Sequence, residues 1–422
     1  MHSSSQRKIL IVTVGGSCAP IVNCIGNPPR YDFVYFICST GRGEASSEIQ
    51  VDGQGKPCKA QDKEDPSIVA QTGLKREAYE KVTFDASTEI DDISILYAKL
   101  KEFSRELQDK FPGVKVTANY TGGTKSMSAA LVLIAIECEW ELQFNVGRRQ
   151  NVKQITTGDV PVPIATDTIQ TDRNLRLYEE AFKTYNYEMA RTVAYDTLSS
   201  YNLTTTQRNE WIELMNLAVG FNKWDSFFYG EAWDTLRLVG QRASGFLPFL
   251  KPLLPDQAAS KFPVVLDLLL NAQRRCAQGR YDDGTARLYR ALELFAQARL
   301  MEHYGLSTGA LDIQDDKIPV EFKEKFCHQV DEDGKFQVGL TNAYELLLAL
   351  GDPVGSLYEK RRSRILNHLK IRNHSFLAHG FEPIGREGFN EMYGVVHSFI
   401  KESIEEGGIK LRWPPQLPDS LP

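Results

Sequence analysis

A short run near the C-terminal end, residues 371–380, combines residue types that could catalyse phosphodiester cleavage. It contains Arg372, Asn373 and His379. A permanently charged guanidinium can stabilise charge that develops on a phosphate, and an imidazole can transfer protons near neutral pH. Because RNA supplies its own nucleophile, the 2′-hydroxyl, such a pair could cut RNA without a metal ion. We therefore take these three residues as the candidate catalytic set.

The helix that should carry this run sets a geometric limit on the site. A helix over residues 365–378, ended by Gly380 in the left-handed conformation, would place His368, Arg372, Ser375 and His379 on one face. Arg372 and His379 would then be separated by about 10 Å along the helix axis. Two copies facing each other across a two-fold axis could bring Arg372 of one subunit to His379 of the other. The spacing therefore predicts a composite site in a dimer, with the role of His368 left open.

The approach to this run is strongly basic. Six cations and no anion lie between Lys360 and Arg372, although the whole chain has a net charge of −6. A local basic stripe of this kind indicates a surface for a polyanion, or alternatively an ordinary solvated helix face.

Two glycine-rich turns in the N-terminal third each follow a predicted strand. Gly15-Gly16-Ser17 follows the apolar run 9–14, and residues 121–126 follow the run 114–120. Glycines permit close backbone approach, and a helix that begins after such a turn directs N–H groups at a phosphate. Neither turn fits G-x-G-x-x-G or Walker A. One turn alone could be a simple chain reversal, but two at strand ends in one α/β unit predict a ligand crevice at the sheet edge.

These residues carry a family resemblance. Arg372, six intervening residues and His379, in the setting RNHSFLAHG, resemble the R-x(4-6)-H signature of HEPN ribonucleases. VGGSCAPI and NYTGGTKSMSAAL resemble the two ligand-contacting segments of CARF domains. Together they resemble the CRISPR-associated accessory ribonucleases in which a CARF domain, joined to a HEPN domain, responds to cyclic oligoadenylates.

The resemblance implies a pocket, an activator and an assembly. The implied ligand-binding residues are Gly15, Gly16, Ser17, Ser39, Thr40, Thr121, Gly122, Gly123, Thr124, Lys125 and Ser126. The activator would be a cyclic oligoadenylate, tetra-adenylate in preference to hexa-adenylate, and no metal or other cofactor would be needed. The substrate would be single-stranded RNA and not DNA. The chain would form a homodimer through both its CARF and its HEPN domains.

Composition bounds the class of protein. The chain has 422 residues, of which 42% are hydrophobic and 25% charged, which indicates a globular protein of two or three domains. There is no signal-peptide core, and the longest apolar run, residues 129–136, is too short to span a membrane. The seven cysteines form no C-x-x-C pair. They indicate reduced core thiols in a cytoplasmic protein, and neither zinc ligands nor disulfides.

The chain pattern predicts a fold of α/β plus all-α class. We expect a Rossmann-like CARF domain over residues 1–165, a helical connector over 166–255 and a helical HEPN domain over 256–422. In the first domain, residues 140–146 should be the last strand, 160–163 the linker and 44–78 a polar insertion, either a lid over the ligand or surface decoration. One helix is expected over 175–198, a loop over 312–339 and an extended or loosely packed tail over 413–422. Three segments that begin near Tyr185, Trp224 and Tyr281 look alike, as stacked helical hairpins do.

Two other functions fit the same residues. The chain could be a ligand-sensing regulator or adaptor in which Arg372 and His379 only pair dimer surfaces. Alternatively, the CARF pocket could degrade its own activator, with Ser17 and Lys125 aligning a ribose hydroxyl and its phosphate.

Overall fold

The chain divides into two compact units. The computed structural model describes residues 7–41, 46–60, 63–147, 149–151, 154–155, 159–256, 259–373 and 381–422. Unit 1 is Met1–Gln170 and unit 2 is Thr171–Pro422. In the described part of the chain, no helix is long and apolar enough to cross a membrane.

Unit 1 is built from short strands and five helices that precede residue 140. The strands are β1 (Lys8–Thr13), β2 (Phe33–Thr40), β3 (Cys58–Ala60), β4 (Lys63–Asp65), β5 (Tyr79–Asp85), β6 (Lys115–Asn119), β7 (Glu141–Val146), β8 (Arg149–Asn151), β9 (Gln154–Ile155) and β10 (Val160–Ile164). The helices are α1 (Ala19–Gly26), α2 (Glu48–Asp52), α3 (Ile68–Thr72), α4 (Ile93–Lys110) and α5 (Lys125–Glu137).

The main sheet of unit 1 has six strands in the order β10-β7-β6-β1-β2-β5. Five of them are parallel, and β10 pairs antiparallel to β7 at the edge. Along β1, Ile9 and Ile11 pack under α4 and α5, whereas Leu10 and Val12 pack under α1, α2 and α3. Both faces of a central parallel strand are buried, so β1 is a continuous apolar run. The Rossmann-like fold expected from the sequence is confirmed.

Two local predictions for unit 1 are wrong. Residues 160–163, expected as a linker, belong to strand β10. Pro161 and Pro163 fit an edge strand, because a residue without an N–H is tolerated where one side of the strand needs no partner. Residues 140–146, expected as the last strand of this domain, cover β7, and β10 follows it in the same sheet. The 44–78 insertion, for which the sequence predicts no internal structure, contains α2, the β3–β4 hairpin and α3.

Unit 2 is almost entirely helical. Its helices are α6 (Asp167–Lys183), which begins in unit 1, α7 (Tyr187–Ser200), α8 (Thr205–Asp225), α9 (Tyr229–Leu236), α10 (Gln241–Ser244), α11 (Leu247–Leu250), α12 (Phe262–Ala277), α13 (Tyr281–Arg299), α14 (Val320–Phe326), α15 (Leu340–Ala349), α16 (Pro353–Asn373) and α17 (Arg386–Glu406). A small hairpin of β11 (Leu311–Asp312) and β12 (Lys335–Phe336) also occurs. The helical C-terminal half expected from the sequence is therefore confirmed.

Unit 2 has two hydrophobic cores. One is formed by α6 to α11 and contains buried Trp211 and Trp224. The other is formed by α12 to α17 and contains Phe295 and Phe399, which are fully buried. The two tryptophans therefore serve as core anchors.

Three helical hairpins in unit 2 share one turn. Tyr185, Phe227 and Gly279 have positive φ angles of 54°, 66° and 73°. In each turn this residue donates its backbone N–H to the carbonyl three residues earlier, and the next residue donates to the carbonyl five residues before it. The expected likeness of the three segments is thus a common left-handed turn. The same turn divides the predicted helix 175–198 into α6 and α7.

Two further predictions for unit 2 need correction. Residues 312–339, expected as a loop, contain α14 and β12. The C-terminal tail is not loosely packed, because Leu417 is buried and Gln416 accepts a hydrogen bond of 2.6 Å from Arg274. The tail also receives a hydrogen bond of 2.7 Å from Tyr187 at the carbonyl of Pro418.

Candidate ligand pocket and catalytic motif

The two glycine-rich turns meet at the carboxyl edge of the sheet of unit 1. Thr13, at the end of β1, donates its hydroxyl to the carbonyl of Gly122 over 2.7 Å. A Cβ atom added to Gly15 would lie 2.5 Å from the backbone nitrogen of Gly123, and one added to Gly122 would lie less than 3.0 Å from the carbonyl oxygen of Thr13. Only glycine permits this approach. The structure therefore brings together both turns that the sequence singled out.

The second turn leads directly into helix α5. Thr124 is the N-cap, and its hydroxyl accepts from the backbone N–H of Met127 and donates to the carbonyl of Ile90 over 2.9 Å. Ser126 donates its hydroxyl to the carbonyl of Asp91 over 3.2 Å. Lys125, the first residue of α5, is exposed and has no ion-pair partner among the described residues. A lysine beside the first N–H groups of a helix is suited to hold an anion.

A third turn borders the same edge. Residues 86–93, between β5 and α4, line a cleft of about 420 Å³. Ala86 donates its N–H to the carbonyl of Thr40. The carbonyls of Ile90 and Asp91 accept the hydrogen bonds from the Thr124 and Ser126 hydroxyls described above. This segment was not predicted as part of the pocket, although its run of Asp, Ser and Thr after a strand is a usable turn signal.

The remaining pocket candidates differ in how accessible they are. Gly16 and Ser17 are exposed. Ser39 is buried, and its hydroxyl lies 3.1 Å from that of Ser47. Thr40 donates its hydroxyl to Glu48 over 2.6 Å. Ser39 and Thr40 therefore anchor the 44–78 insertion through these contacts, and a ligand would have to replace them.

A buried polar network lies behind the second turn, under α1. Thr121 accepts the backbone N–H of Asn145 over 2.8 Å, and the Asn145 side chain donates to Asp159 over 2.8 Å. Asn119 donates to the side-chain oxygen of Asn145 over 2.9 Å. Burial raises the pKa of the neighbouring Cys24 thiol to about 12. The alternation of polar residues along β6 and β7 was the signal for this network, because every second residue faces the same side.

The expectation of reduced thiols without disulfides is wrong at one pair. Cys18 and Cys58 form a disulfide, with their Cα atoms 5.8 Å apart. Cys18 directly follows Ser17, and Cys58 opens β3 in the insertion, so the bond ties the insertion to the first glycine-rich turn. Cys24 and Cys38 are free and buried.

The candidate catalytic motif is only partly covered by the described residues. Helix α16 reaches Asn373 and begins at Pro353, twelve residues earlier than the predicted helix. The side chains of Arg372 and Asn373, and all of residues 374–380 with His379 and the expected cap at Gly380, lie outside the described part. The separation of Arg372 from His379 therefore stays a prediction.

The basic stripe that leads to the motif is divided into two sets. Arg361 pairs with Glu402 of α17, and Arg362 pairs with Glu345 of α15 over 2.7 Å. Lys360, Arg364 and Lys370 are exposed and have no ion-pair partner among the described residues. Half-buried His368 has a buried Nδ1 without a hydrogen-bond partner in that part of the chain. Within it, no group of three or more His, Cys, Asp and Glu side chains is arranged to hold a metal ion.

Comparisons with known proteins bear on both units. Residues 257–403, which include Arg372 and His379, match the family described as the Csm6 HEPN domain. The chain is similar to the structure of Enterococcus italicus Csm6 bound to cyclic hexa-2′-fluoro-hexa-dAMP, with 12% identity, a TM-score of 0.57 and 95% of each chain covered.

A second similar structure is Can2 from Sulfobacillus thermosulfidooxidans in complex with cyclic tetra-adenylate. It shares 11% identity over 55% of this chain and 67% of that one, with a TM-score of 0.24. No curated protein matches the chain at a significant level. Residues 257–403 therefore match the Csm6 HEPN domain, and the chain shares the fold of Csm6 over 95% of its length.

Proposed function

We propose that this protein is an endoribonuclease that cuts single-stranded RNA without a metal ion when a cyclic oligoadenylate binds to unit 1. One observation carries the proposal. Arg372 and His379 stand with the spacing of the HEPN signature inside residues 257–403, the range that matches the Csm6 HEPN domain. Antiviral defence in the cytoplasm is the role that such an activity would serve.

The proposed reaction uses only groups of the RNA and of the protein. The 2′-hydroxyl attacks the adjacent phosphorus, the bond from phosphorus to the 5′-oxygen breaks, and the products are a 2′,3′-cyclic phosphate and a 5′-hydroxyl. His379 transfers a proton, Arg372 stabilises the charge on the phosphate oxygens, and Asn373 orients the pair.

The reactive groups come from two subunits in this proposal. If the helix continues to His379, the step of seven positions from Arg372 to His379 corresponds to about 10 Å along the axis, too far for one helix to bring both side chains to one phosphate. A two-fold contact between HEPN domains would place one residue from each subunit at the same phosphate. Pairing of the CARF domains would extend this dimer.

The turns at the sheet edge of unit 1 are the proposed activator pocket. The N-terminus of α5 and exposed Lys125 offer N–H groups and a positive charge to phosphates of the ring. Gly16 and Ser17 lie on the turn that contacts this segment. We expect tetra-adenylate to be preferred, and the hexa-adenylate analogue in the similar Csm6 structure makes the six-membered ring the necessary comparison.

Alanine variants of the motif test the nuclease assignment. Arg372→Ala and His379→Ala should each lower the rate of RNA cleavage roughly a hundredfold or more, because each removes a contact made mainly in the transition state. This corresponds to a loss of at least about 3 kcal/mol of transition-state stabilisation. Binding of cyclic adenylate, measured by calorimetry, should stay unchanged. If both variants cleave RNA at the normal rate, the assignment is wrong. An adaptor without nuclease activity would bind the ring and leave RNA intact in every variant.

A further inference from the structure

Four positions along helix α16 are spaced by four residues and end at the candidate catalytic arginine. Lys360, Arg364, His368 and Arg372 all lie within Pro353–Asn373. Residues four apart are neighbours along one face of a helix, about 6 Å apart along the axis. The row from Lys360 to Arg372 therefore spans about 18 Å.

The described members of this row are available to a partner. Lys360 and Arg364 are exposed and His368 is half-buried, whereas Ile365 and Leu369 turn into the core of unit 2. The row therefore lies beside the buried face of α16 and borders solvent.

The other two cations of the stripe have partners of their own. Arg361 is held by Glu402, and its guanidinium also donates to Ser398 over 3.3 Å. Arg362 is held by Glu345 and by Glu359 over 3.4 Å. Lys360 and Arg364 have no such neutralising partner in the described part of the chain.

This arrangement has an electrostatic cost that a polyanion would relieve. Like charges four residues apart on a helix repel each other. His368 is half-buried and continues the row from Arg364 toward position 372. A partner with regularly spaced negative charges would compensate Lys360 and Arg364 at once.

We infer that Lys360, Arg364 and His368 form a phosphate track that holds the RNA strand on one side of the cut. This inference rests on the proposed function, because the track leads to position 372. The contacts would be to backbone phosphates, which fix the position of a strand and carry no sequence information. The track therefore predicts that affinity rises with RNA length and does not depend on the base sequence along it.

The test compares two double variants that remove the same charge from the same helix. Lys360→Gln/Arg364→Gln removes the track, and Arg361→Gln/Arg362→Gln removes the paired arginines. Binding of a labelled 2′-O-methyl RNA of twenty nucleotides, which lacks the attacking hydroxyl, is measured by anisotropy with cyclic adenylate present. Thermal melting of each variant confirms that it is folded.

The track variant should bind this RNA about tenfold more weakly. The slope of log K against log salt concentration should become less steep by about 1.4, because two phosphate contacts are lost. The control variant should remain within about twofold of wild type. In cleavage assays, the track variant should raise KM for long RNA and leave a tetranucleotide nearly unaffected.

The inference is wrong if the two double variants bind RNA equally well. It is also wrong if the track variant binds RNA as wild type does but binds phosphatidylserine vesicles more weakly. The binding assay does not require catalysis. If wild type fails to cleave RNA but the track variant loses RNA binding, the nuclease proposal fails and the track stands.

Discussion

At the scale of single residues, the proposed ligand pocket depends on how closely two backbones approach. Gly15 and Gly122 have no room for a Cβ atom, because backbone atoms of Gly123 and Thr13 occupy that space. Gly16, in the same turn as Gly15, has no atom within 4 Å of an added Cβ. Neighbouring glycines in one turn thus have different constraints.

This contrast predicts the effect of alanine at each position. Gly15→Ala and Gly122→Ala should each destabilise unit 1 by about 1–3 kcal/mol, the usual cost of overpacking, and should weaken binding of cyclic adenylate. Gly16→Ala should change stability by no more than about 0.5 kcal/mol. Urea unfolding of the three variants checks this order. A Gly15→Ala variant as stable as Gly16→Ala would show that the two turns do not touch.

The residue scale also shows where sequence reasoning ends. The spacing of Gly15 and Lys125 from their strands was enough to predict that their turns share one edge, because parallel strands all end there. The hydrogen bonds of Ser39 with Ser47 and of Thr40 with Glu48 were not predictable, because Ser47 and Glu48 belong to an insertion without a recognisable sequence pattern. The Cys18–Cys58 bond joins residues 40 positions apart, and no local spacing indicates such a pair.

At the scale of elements, the strands were predicted well where burial dominates and poorly where it does not. β1 and β2 are continuous apolar runs, and their positions follow directly from that. β10 was missed because its two prolines indicate a linker, and only its place at the sheet edge makes them compatible with a strand. The break between α6 and α7 was missed because Tyr185 adopts a left-handed conformation that usually belongs to glycine.

The shared hairpin turn yields a prediction at this scale. Gly279 has a φ of 73°, and an added Cβ would touch nothing within 4 Å, so the cost of alanine there is backbone strain alone. Gly279→Ala should therefore destabilise unit 2 by about 1 kcal/mol.

Gly230, inside helix α9, supplies the matched control. It has no positive φ and also has space for a Cβ, so Gly230→Ala should stabilise unit 2 by about 0.5–1 kcal/mol. Thermal unfolding of both variants measures the two shifts. Shifts of the same sign would contradict the assigned turn.

At the scale of the whole molecule, unit 2 is held together by a buried ionic network between its two cores. Arg274 of α12 is fully buried and donates to Asp225 at the end of α8 over 2.6 Å. It lies 3.4 Å from Asp267 and also donates to Gln416 of the tail. Asp225 pairs with Arg275 as well. The network therefore connects the hairpin helices, the HEPN helices and the C-terminal tail.

Removal of the central carboxylate should be costly. Asp225→Ala would leave buried Arg275 without a carboxylate partner among the described residues and Arg274 with only the more distant Asp267. We expect a loss of about 3–5 kcal/mol in the stability of unit 2. Asp234→Ala, which breaks an exposed pair with Arg237, should cost no more than about 1 kcal/mol. Guanidinium unfolding of the two variants gives the comparison. Similar losses for both would show that the network does not stabilise unit 2.

The proposed control by a cyclic adenylate places a further requirement on the whole molecule. A cyclic adenylate can change nuclease activity only by as much as it prefers one conformation of the protein over another. Activity must therefore depend on ring concentration in parallel with binding, and it must be lost when the catalytic residues are removed.

The most direct test is a single titration. Fluorescent single-stranded RNA is incubated with the purified protein in EDTA while cyclic tetra-adenylate or cyclic hexa-adenylate is increased from zero, with His379→Ala as the control. We expect cleavage that rises with one of the two rings, saturates as binding saturates and is absent in the control. RNA that stays intact at saturating concentrations of both rings, or cleavage of equal rate in the His379→Ala variant, would contradict this account.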